Sequence, residues 1–264
     1  MLRAPGHRAR KRFGQNFLTS EFHIEKIVSA IAPEPGENIV EIGPGQAALT
    51  QRILSRTGAM TAVEIDRDLA AWLKDTFGDA LSLIVADALE IDWKSVCPGK
   101  KLRVIGNLPY NISTPLLFRL LQAKERIADQ HFMLQKEVVD RMVSPPGEKS
   151  YGRLSVMLQA SYVMTRLFDI PPGAFTPQPK VTSSFVRMVP RPEHLPVNPE
   201  DFETVVKAAF SLRRKTIRNS LEGLMDGNAI QNAGIDPGIR AEALRVESFF
   251  ALTREYSKQK SGLP

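Results

Sequence analysis

Short apolar runs alternate with helical patterns through the first half of this chain. The runs have the length of strands and cover residues 39–42, 61–65, 81–86 and 102–105. Apolar residues at helical spacing follow the first two runs, near 47–55 and 68–77. Because strands that alternate with helices pair in parallel, the chain is predicted to form an α/β fold with a doubly wound parallel sheet.

Two further helices are predicted from their first residues. Thr19 or Ser20 can cap a helix whose apolar face consists of Ile24, Ile27, Val28 and Ile31. The tripeptide Ser113-Thr114-Pro115 combines a capping residue with a proline suited to the first turn of another helix.

The second half of the chain is less regular. Residues 131–135 and 180–189 resemble strands, for which antiparallel edge positions are expected, and 154–160 resembles a helix. Four prolines between residues 190 and 199 indicate a linker, and helical patterns follow. The predicted division is a basic flexible tail (1–12), the sheet domain (13–192) and a small all-helical C-terminal domain (193–264).

Composition limits the classes of protein to which this chain can belong. Its 264 residues are 43% hydrophobic, enough to bury a sizeable core. The single cysteine, Cys97, excludes an intramolecular disulfide and indicates the reducing cytosol. No apolar run approaches the roughly 20 residues of a membrane span, and the four histidines show no metal-ligand spacing. We therefore expect a cytoplasmic protein without a metal or a membrane segment.

Positive charge concentrates near both ends of the chain, whose net charge is +6. Before the first acidic residue, Glu21, stand Arg3, Arg8, Arg10, Lys11 and Arg12. Between Glu203 and Glu222 stand Lys207, Arg213, Arg214, Lys215 and Arg218. A loose tail and a solvated helix face would explain either cluster alone, whereas the two together favour a polyanionic partner.

A small-residue turn leads from the first strand of the predicted sheet into a helix. Its residues 43–48 fit the pattern G-x-G-x-x-A, in which Gly43 and Gly45 let the backbone approach a nucleotide-like ligand. This pattern alone suits a nicotinamide dinucleotide equally well. We interpret it as a site for a cofactor that is either a nicotinamide dinucleotide or another nucleotide-like molecule.

Carboxylates end the next two predicted strands at the same edge of the sheet. Glu64 stands where a carboxylate can accept hydrogen bonds from both ribose hydroxyls of an adenosyl group. Asp87 can accept a hydrogen bond from an adenine amino group, or it can cap a helix before Ala88. Three strand ends that face one crevice indicate a nucleoside-type cofactor.

The fourth strand ends in Asn107-Leu108-Pro109-Tyr110, which a hydride-transfer site would not need. The Asn107 side-chain oxygen and the Leu108 carbonyl can accept the two N–H groups of an amine and aim its lone pair at a methyl donor. Pro109 stiffens the corner, and the Tyr110 ring can stack on an extruded base. A strand-end turn is the alternative interpretation.

The two motifs at residues 40–45 and 106–113 resemble those of the ribosomal RNA adenine dimethyltransferases. Segments similar to the small-subunit branch of that family cover residues 12–18, 133–138, 151–156, 175–181 and 213–221. The resemblance spans roughly residues 10 to 250. It implies a Rossmann-like class I methyltransferase domain, S-adenosyl-L-methionine as the methyl donor, and dimethylation of two adjacent adenosines in the 3′-terminal hairpin loop of 16S rRNA in the 30S ribosomal subunit.

The family also implies roles for individual residues. Gln15, Asn16 and Leu18 would close over the methyl donor, and the strand ends would bind it through Gly43, Glu64, Asp87 and Asn107. Phe175 would cover the base opposite Tyr110, although a core phenylalanine before a turn is equally consistent with its position. Apart from the family, charge and the i to i+4 spacing of Arg214 and Arg218 predict that Arg213, Arg214, Lys215 and Arg218 line one helix face and bind the ribosomal RNA backbone. We expect the protein to be a monomer.

Three other functions fit parts of the sequence. The large-subunit relatives, which dimethylate 23S rRNA and give macrolide resistance, share the Asn107 corner. DNA adenine methyltransferases typically carry an Asp-Pro-Pro-Tyr corner instead. A ribosome-assembly factor without enzymatic activity could retain the same fold, although an intact corner argues for activity.

Overall fold

The computed structural model describes residues 4–7, 9–10, 13–212 and 214–262. Their strands are β1 (Phe17–Leu18), β2 (Asn38–Ile42), β3 (Met60–Glu64), β4 (Leu81–Val85), β5 (Leu102–Asn107), β6 (Ile127–Gln135), β7 (Tyr162–Ile170), β8 (Phe175–Thr176) and β9 (Ser183–Pro190). Their helices are α1 (Glu21–Ile31), α2 (Thr50–Thr57), α3 (Arg67–Phe77), α4 (Ser113–Leu121), α5 (Lys136–Val143), α6 (Arg153–Gln159), α7 (Pro199–Ala209), α8 (Ile217–Ser220), α9 (Gly227–Asn232) and α10 (Val246–Ser261).

The described strands form a seven-stranded sheet in the order β4-β3-β2-β5-β6-β9-β7 and a small sheet that pairs β1 with β8. Five neighbouring strands, β4 through β6 in that order, run parallel. Strand β9 pairs antiparallel with β6. The predicted doubly wound α/β sheet is therefore confirmed, and the antiparallel pairing expected for residues 180–189 is present in β9. The expected edge positions are wrong, because β6, which contains residues 131–135, pairs in parallel with β5, and β9 lies between β6 and the edge strand β7. The carboxyl ends of β2, β3, β4 and β5 lie along one edge of this sheet.

Helix α1 has the buried face that its spacing predicts. Ile24, Ile27, Val28 and Ile31 are all buried in the hydrophobic core. The Ser20 hydroxyl makes no cap, because it is hydrogen-bonded to the His23 ring at 2.8 Å instead. The helix itself therefore follows from apolar spacing rather than from capping.

Two predicted details differ from the structure, and one strand was not predicted. Helix α2 begins at Thr50 rather than near Ala47, because Ala47 has a φ of +60° and cannot take part in a right-handed helix. Ser113 is the first residue of α4 rather than its cap, and its hydroxyl donates to the Tyr110 carbonyl. Strand β7 was not predicted, since the exposed apolar residues Val163 and Leu167 disrupt the alternation of apolar and polar residues that marks a strand.

The chain divides into two compact units. The first contains the described residues up to Val139 together with Met164–Pro190, and it holds the large sheet. The second contains Asp140–Val163 and the described residues from Arg191 onward. Its core includes the Phe210 ring stacked on Phe249, with centroids 5.6 Å apart.

Residues 140–163 were predicted to belong to the sheet domain but group with the C-terminal helices. The Tyr151 hydroxyl donates to the Leu244 carbonyl at 2.9 Å, and the Gly147 N–H donates to the Glu242 carbonyl at 2.8 Å. These contacts join segments about a hundred residues apart, which local patterns cannot indicate. No helix among the described residues is both long enough and apolar enough to cross a membrane.

Candidate active site

A cavity of about 300 Å³ lies at the carboxyl edge of the sheet in the first unit. It is lined by the ends of β2, β3 and β5, by the segment after β4 and by the chain just before α1. The lining residues lie at 13–18, 41–46, 48–49, 63–65, 86–88, 107–112 and 133. The three predicted strand ends and the Asn107 corner therefore share one cavity.

The glycine turn forms part of the lining of this cavity. Gly43 and Gly45 have φ values of +68° and +55°, which favour glycine. A Cβ on Gly45 would lie 3.0 Å from the Phe17 ring. The turn is thus packed closely under the segment that precedes α1, and Gly45 leaves no room for a side chain.

Glu64 is held in place by the backbone around it. Its carboxylate accepts hydrogen bonds from the N–H groups of Gly45, at 3.2 Å, and Asp66, at 2.9 Å. The residue is 4% exposed, and burial raises the pKa of its carboxyl group. A carboxylate has about four acceptor positions, so two remain for the hydroxyls of a ribose.

Asp87 lines the cavity after β4. One carboxylate oxygen accepts from the Leu89 N–H at 2.9 Å, in a turn rather than at the start of a helix. Its other oxygen accepts no hydrogen bond from the described residues. Asp87 therefore fixes its own turn and keeps an acceptor for a ligand.

A second buried carboxylate, Glu41, lines the same cavity and escaped the sequence-based reasoning. It is 2% exposed and accepts a hydrogen bond of 2.6 Å from the Thr50 hydroxyl. Burial is the largest cause that raises the pKa of Glu41, to about 7, and the nearby Glu64 adds to it. An acidic residue inside the apolar run of β2 was the available signal.

The segment before α1 lies against this cavity, but its polar side chains do not all face inward. Gln15 donates to Asp66 at 3.2 Å, and the Asn16 side chain donates to the Gly14 carbonyl at 3.2 Å. Leu18 is 3% exposed and belongs to the hydrophobic core as well as to the lining. The structure thus brings all three family-implied residues to the cavity.

Asn107 is the last residue of β5, and its amide has a defined orientation. Its Nδ2 donates to the Asn16 carbonyl at 2.8 Å. The Leu108 N–H donates to the Met133 carbonyl at 3.2 Å. No donor among the described residues reaches the Asn107 Oδ1 or the Leu108 carbonyl oxygen. The corner therefore presents two acceptors without partners at one wall of the cavity.

Pro109 and Tyr110 continue this wall. The Tyr110 hydroxyl lies 2.9 Å from the Ser183 hydroxyl, and burial raises the pKa of Tyr110. A hydrogen bond at the ring's tip fixes the plane on which a base can stack.

Phe175 is not among the residues that line the cavity. It is 4% exposed, lies in the hydrophobic core and pairs with Leu18 through β1 and β8. Of the two interpretations of this residue, its burial supports a core phenylalanine. Base stacking by Phe175 stays a prediction, and Phe175 does not line the cavity.

The predicted basic helix face is wrong in its geometry. Arg214 and Lys215 lie in a turn, and only Arg218 belongs to the four-residue helix α8. The Ile217 N–H donates to the Ile239 carbonyl instead of to a preceding turn of helix, so α8 cannot extend backward. All three side chains are exposed and none pairs with an acidic group of the described residues. Arg213 lies outside the described residues.

These features define a class of protein. A Rossmann-like sheet whose strand-end carboxylates and Asn-Leu-Pro-Tyr corner line one cavity is the arrangement expected of a methyltransferase that depends on S-adenosylmethionine. A family model described as ribosomal RNA adenine dimethylase matches residues 6–258. The chain belongs to the ribosomal RNA adenine dimethylase family.

Individual relatives agree with this assignment. The chain is 54% identical over 250 residues to the ribosomal RNA small subunit methyltransferase A of Aromatoleum aromaticum, covering 94% of each chain. It is 51% identical to the protein of the same name from Acinetobacter baylyi, covering 94% of this chain and 92% of that one.

Solved structures share the fold. A dimethyladenosine transferase from Plasmodium falciparum superposes with a TM-score of 0.77 at 22% identity, covering 94% of this chain and 98% of that one. The 23S rRNA methyltransferase ErmE superposes with a TM-score of 0.70 at 25% identity, covering 92% of this chain and 100% of that one. The predicted Rossmann-like methyltransferase fold is confirmed.

Proposed function

We propose that this chain transfers methyl groups from S-adenosylmethionine to the 6-amino groups of two adjacent adenosines in the 3′-terminal hairpin loop of 16S rRNA. The observation that carries the proposal is the pair of acceptors without partners, Asn107 Oδ1 and the Leu108 carbonyl oxygen, at the wall of the nucleoside-type cavity. An unmodified adenine presents two N–H groups, one for each acceptor.

The lining fits the donor in chemistry. Glu64 keeps acceptor positions for ribose hydroxyls, Asp87 keeps one for the adenine amino group, and the turn at Gly43 and Gly45 lets the chain run close to the ligand. When bound, S-adenosylmethionine supplies a methyl group on a positively charged sulfur. The side chains of Glu41 and Glu64 place carboxyl oxygens in the lining, which suit a cationic ligand.

The corner positions the nucleophile. Asn107 and Leu108 accept the two N–H groups, which draws the nitrogen toward tetrahedral geometry and directs its lone pair to the methyl carbon. Tyr110 stacks on the extruded base, a contact worth about 1–3 kcal/mol. The N–C bond forms as the S–C bond breaks, and the methylated nitrogen releases its proton to water. No side chain needs to act as a general base.

The small ribosomal subunit is the proposed partner. Relatives 49–54% identical to this chain carry the name ribosomal RNA small subunit methyltransferase A. Arg214, Lys215 and Arg218 are exposed cations suited to phosphate contacts. We place the protein in the cytosol as a monomer, with a role in small-subunit biogenesis beside its methylation.

Charge reversal tests the RNA contacts. The double variant Arg214→Glu with Arg218→Glu is expected to bind 16S rRNA more weakly and with a salt slope smaller by about 1–2, because each lost phosphate contact removes about 0.7–0.9. Donor affinity should not change. Binding is measured across a salt series, and a double variant with the same charge change at exposed Lys94 and Lys101 is the control. Unchanged RNA affinity would refute this placement.

The substrate is tested directly. Labelled donor is offered to unmethylated 30S particles, naked 16S rRNA and 50S particles, and modified adenines are mapped by mass spectrometry. We expect two adjacent dimethylated adenines in small-subunit rRNA and none in the 50S particles. Modification of 50S particles would contradict the proposal and favour a 23S enzyme, since the 23S rRNA methyltransferase ErmE shares this fold. Absence of any transfer would favour an assembly factor without activity.

A further inference from the structure

Asp66 follows the β3 end that carries Glu64, and its carboxylate is completely buried. One oxygen accepts from the Asp68 N–H at 3.2 Å and so caps α3. The same oxygen accepts from Arg10 Nη1 at 2.9 Å, and the other accepts from Gln15 Nε2 at 3.2 Å. Arg10 is also paired with Asp68. A carboxylate beside the donor pocket thus binds two side chains of the segment before α1.

The Gln15 side chain also binds the backbone of Arg10. The Arg10 backbone N–H donates to Gln15 Oε1 at 2.8 Å. The Gln15 side chain therefore binds both the Arg10 backbone and Asp66, and the Arg10 side chain binds Asp66 as well. Arg10 is not part of a free basic tail, and the position of the next residue, Asn16, is set by this network.

Asn16 connects the network to the reacting corner. Its carbonyl oxygen accepts from Asn107 Nδ2 at 2.8 Å. A flipped Asn107 amide would set Oδ1 against the Asn16 carbonyl, where two acceptors would face each other without a proton. The Asn16 carbonyl therefore requires that Nδ2 face it and that Oδ1 face elsewhere.

We infer that Asp66, acting through Arg10 and Gln15, holds the Asn107 amide in the orientation that accepts the adenine N–H group. Asp66 and Arg10 are positioning residues for methyl transfer, and this inference rests on the proposed function. The network also explains why a segment far away in sequence belongs to the site. The segment before α1 lines the cavity for the donor, and its Asn16 carbonyl orients the Asn107 amide that accepts from the amine.

The test measures kcat and the donor KM separately, because a misoriented Asn107 lowers kcat whereas a weakened donor site raises the donor KM. Arg10→Ala and Asp66→Asn are expected to lower kcat on 30S particles, at saturating donor and RNA, by between about 10-fold and 10²-fold, since a misplaced reacting group costs that much. Asparagine still caps a helix, so Asp66→Asn keeps α3 intact while removing the charge. Arg52→Ala is the matched control, because Arg52 is a similarly exposed arginine paired with Glu21 and Glu25. Its kcat should stay within about twofold.

A second measurement reports on Asn107 itself. The side-chain amide resonances of Asn107, assigned by their loss in Asn107→Ala, are expected to shift or broaden in Arg10→Ala and to stay unchanged in Arg52→Ala. An unchanged kcat with a raised donor KM, or unchanged amide resonances, would overturn the inference. If the unaltered protein itself fails to methylate 30S particles, the proposed function is what fails, and the resonances still decide the orientation of Asn107.

Discussion

Replacement of Asn107 by alanine is expected to lower kcat by about 10²-fold or more while folding and donor binding are largely preserved. The substitution removes Oδ1, one of the two acceptors without partners. The Leu108 carbonyl oxygen then remains as the one acceptor for the amine. An amine held at one N–H can rotate its lone pair away from the methyl carbon. Single-turnover transfer to 30S particles measures the loss, and calorimetric titration measures donor affinity.

Asn38→Ala is the control for this variant. Asn38 begins β2, at the end of that strand away from the cavity. Among the described residues its side chain makes one hydrogen bond, of 3.5 Å, to the Lys100 carbonyl. Its transfer rate should match that of the unaltered protein. Substantial turnover by Asn107→Ala would contradict the role of Asn107 in positioning the amine.

Replacement of Glu41 by glutamine is expected to change how stability depends on pH. Burial raises the pKa of Glu41 from its ordinary 4.5 to about 7 in the folded chain. Between these values the folded chain holds a proton that the unfolded chain has released. The stabilisation from this group is therefore fully present below pH 4.5 and is lost as the pH rises through 7.

The expected size follows from the width of that window. One pKa unit corresponds to about 1.4 kcal/mol, so the free energy of unfolding of Glu41→Gln should exceed that of the unaltered protein by about 3 kcal/mol at pH 8. The gain should be much smaller near pH 5. Glutamine resembles the protonated side chain and can still accept from the Thr50 hydroxyl.

Urea unfolding at several pH values measures this difference. Glu90→Gln, at an exposed glutamate, should leave the pH dependence unchanged. Parallel stability curves for Glu41→Gln and the unaltered protein would mean that Glu41 is ionised without cost inside the fold.

Local patterns were sufficient for the elements that carry the site. The apolar spacing of Ile24, Ile27, Val28 and Ile31 predicted α1, and the alternation of strands and helices predicted the sheet. Because parallel strands end at one edge, the convergence of Glu64, Asp87 and Asn107 on one cavity could be predicted as well. The assignment of Gln15, Asn16 and Leu18 depended on the family resemblance.

Contacts between distant segments could not be predicted. The Ile217–Ile239 hydrogen bond limits α8 to one turn, although the spacing of Arg214 and Arg218 suggested a longer helix. The binding of Arg10 to Asp66 joins residues 56 positions apart. In both cases the deciding partner lies on another element, which neither helical spacing nor charge patterning reveals.

The two acceptors at Asn107 and Leu108 also determine when the proposed reaction stops. Each transfer replaces an N–H of the adenine by a methyl group, so the base enters with two hydrogen bonds to the corner, returns with one and finishes with none. The dimethylated base leaves both acceptors unsatisfied in a half-buried wall, which costs free energy. The affinity of the corner for the base therefore falls as methylation is completed, because both hydrogen bonds are lost, and this loss favours release of the dimethylated base.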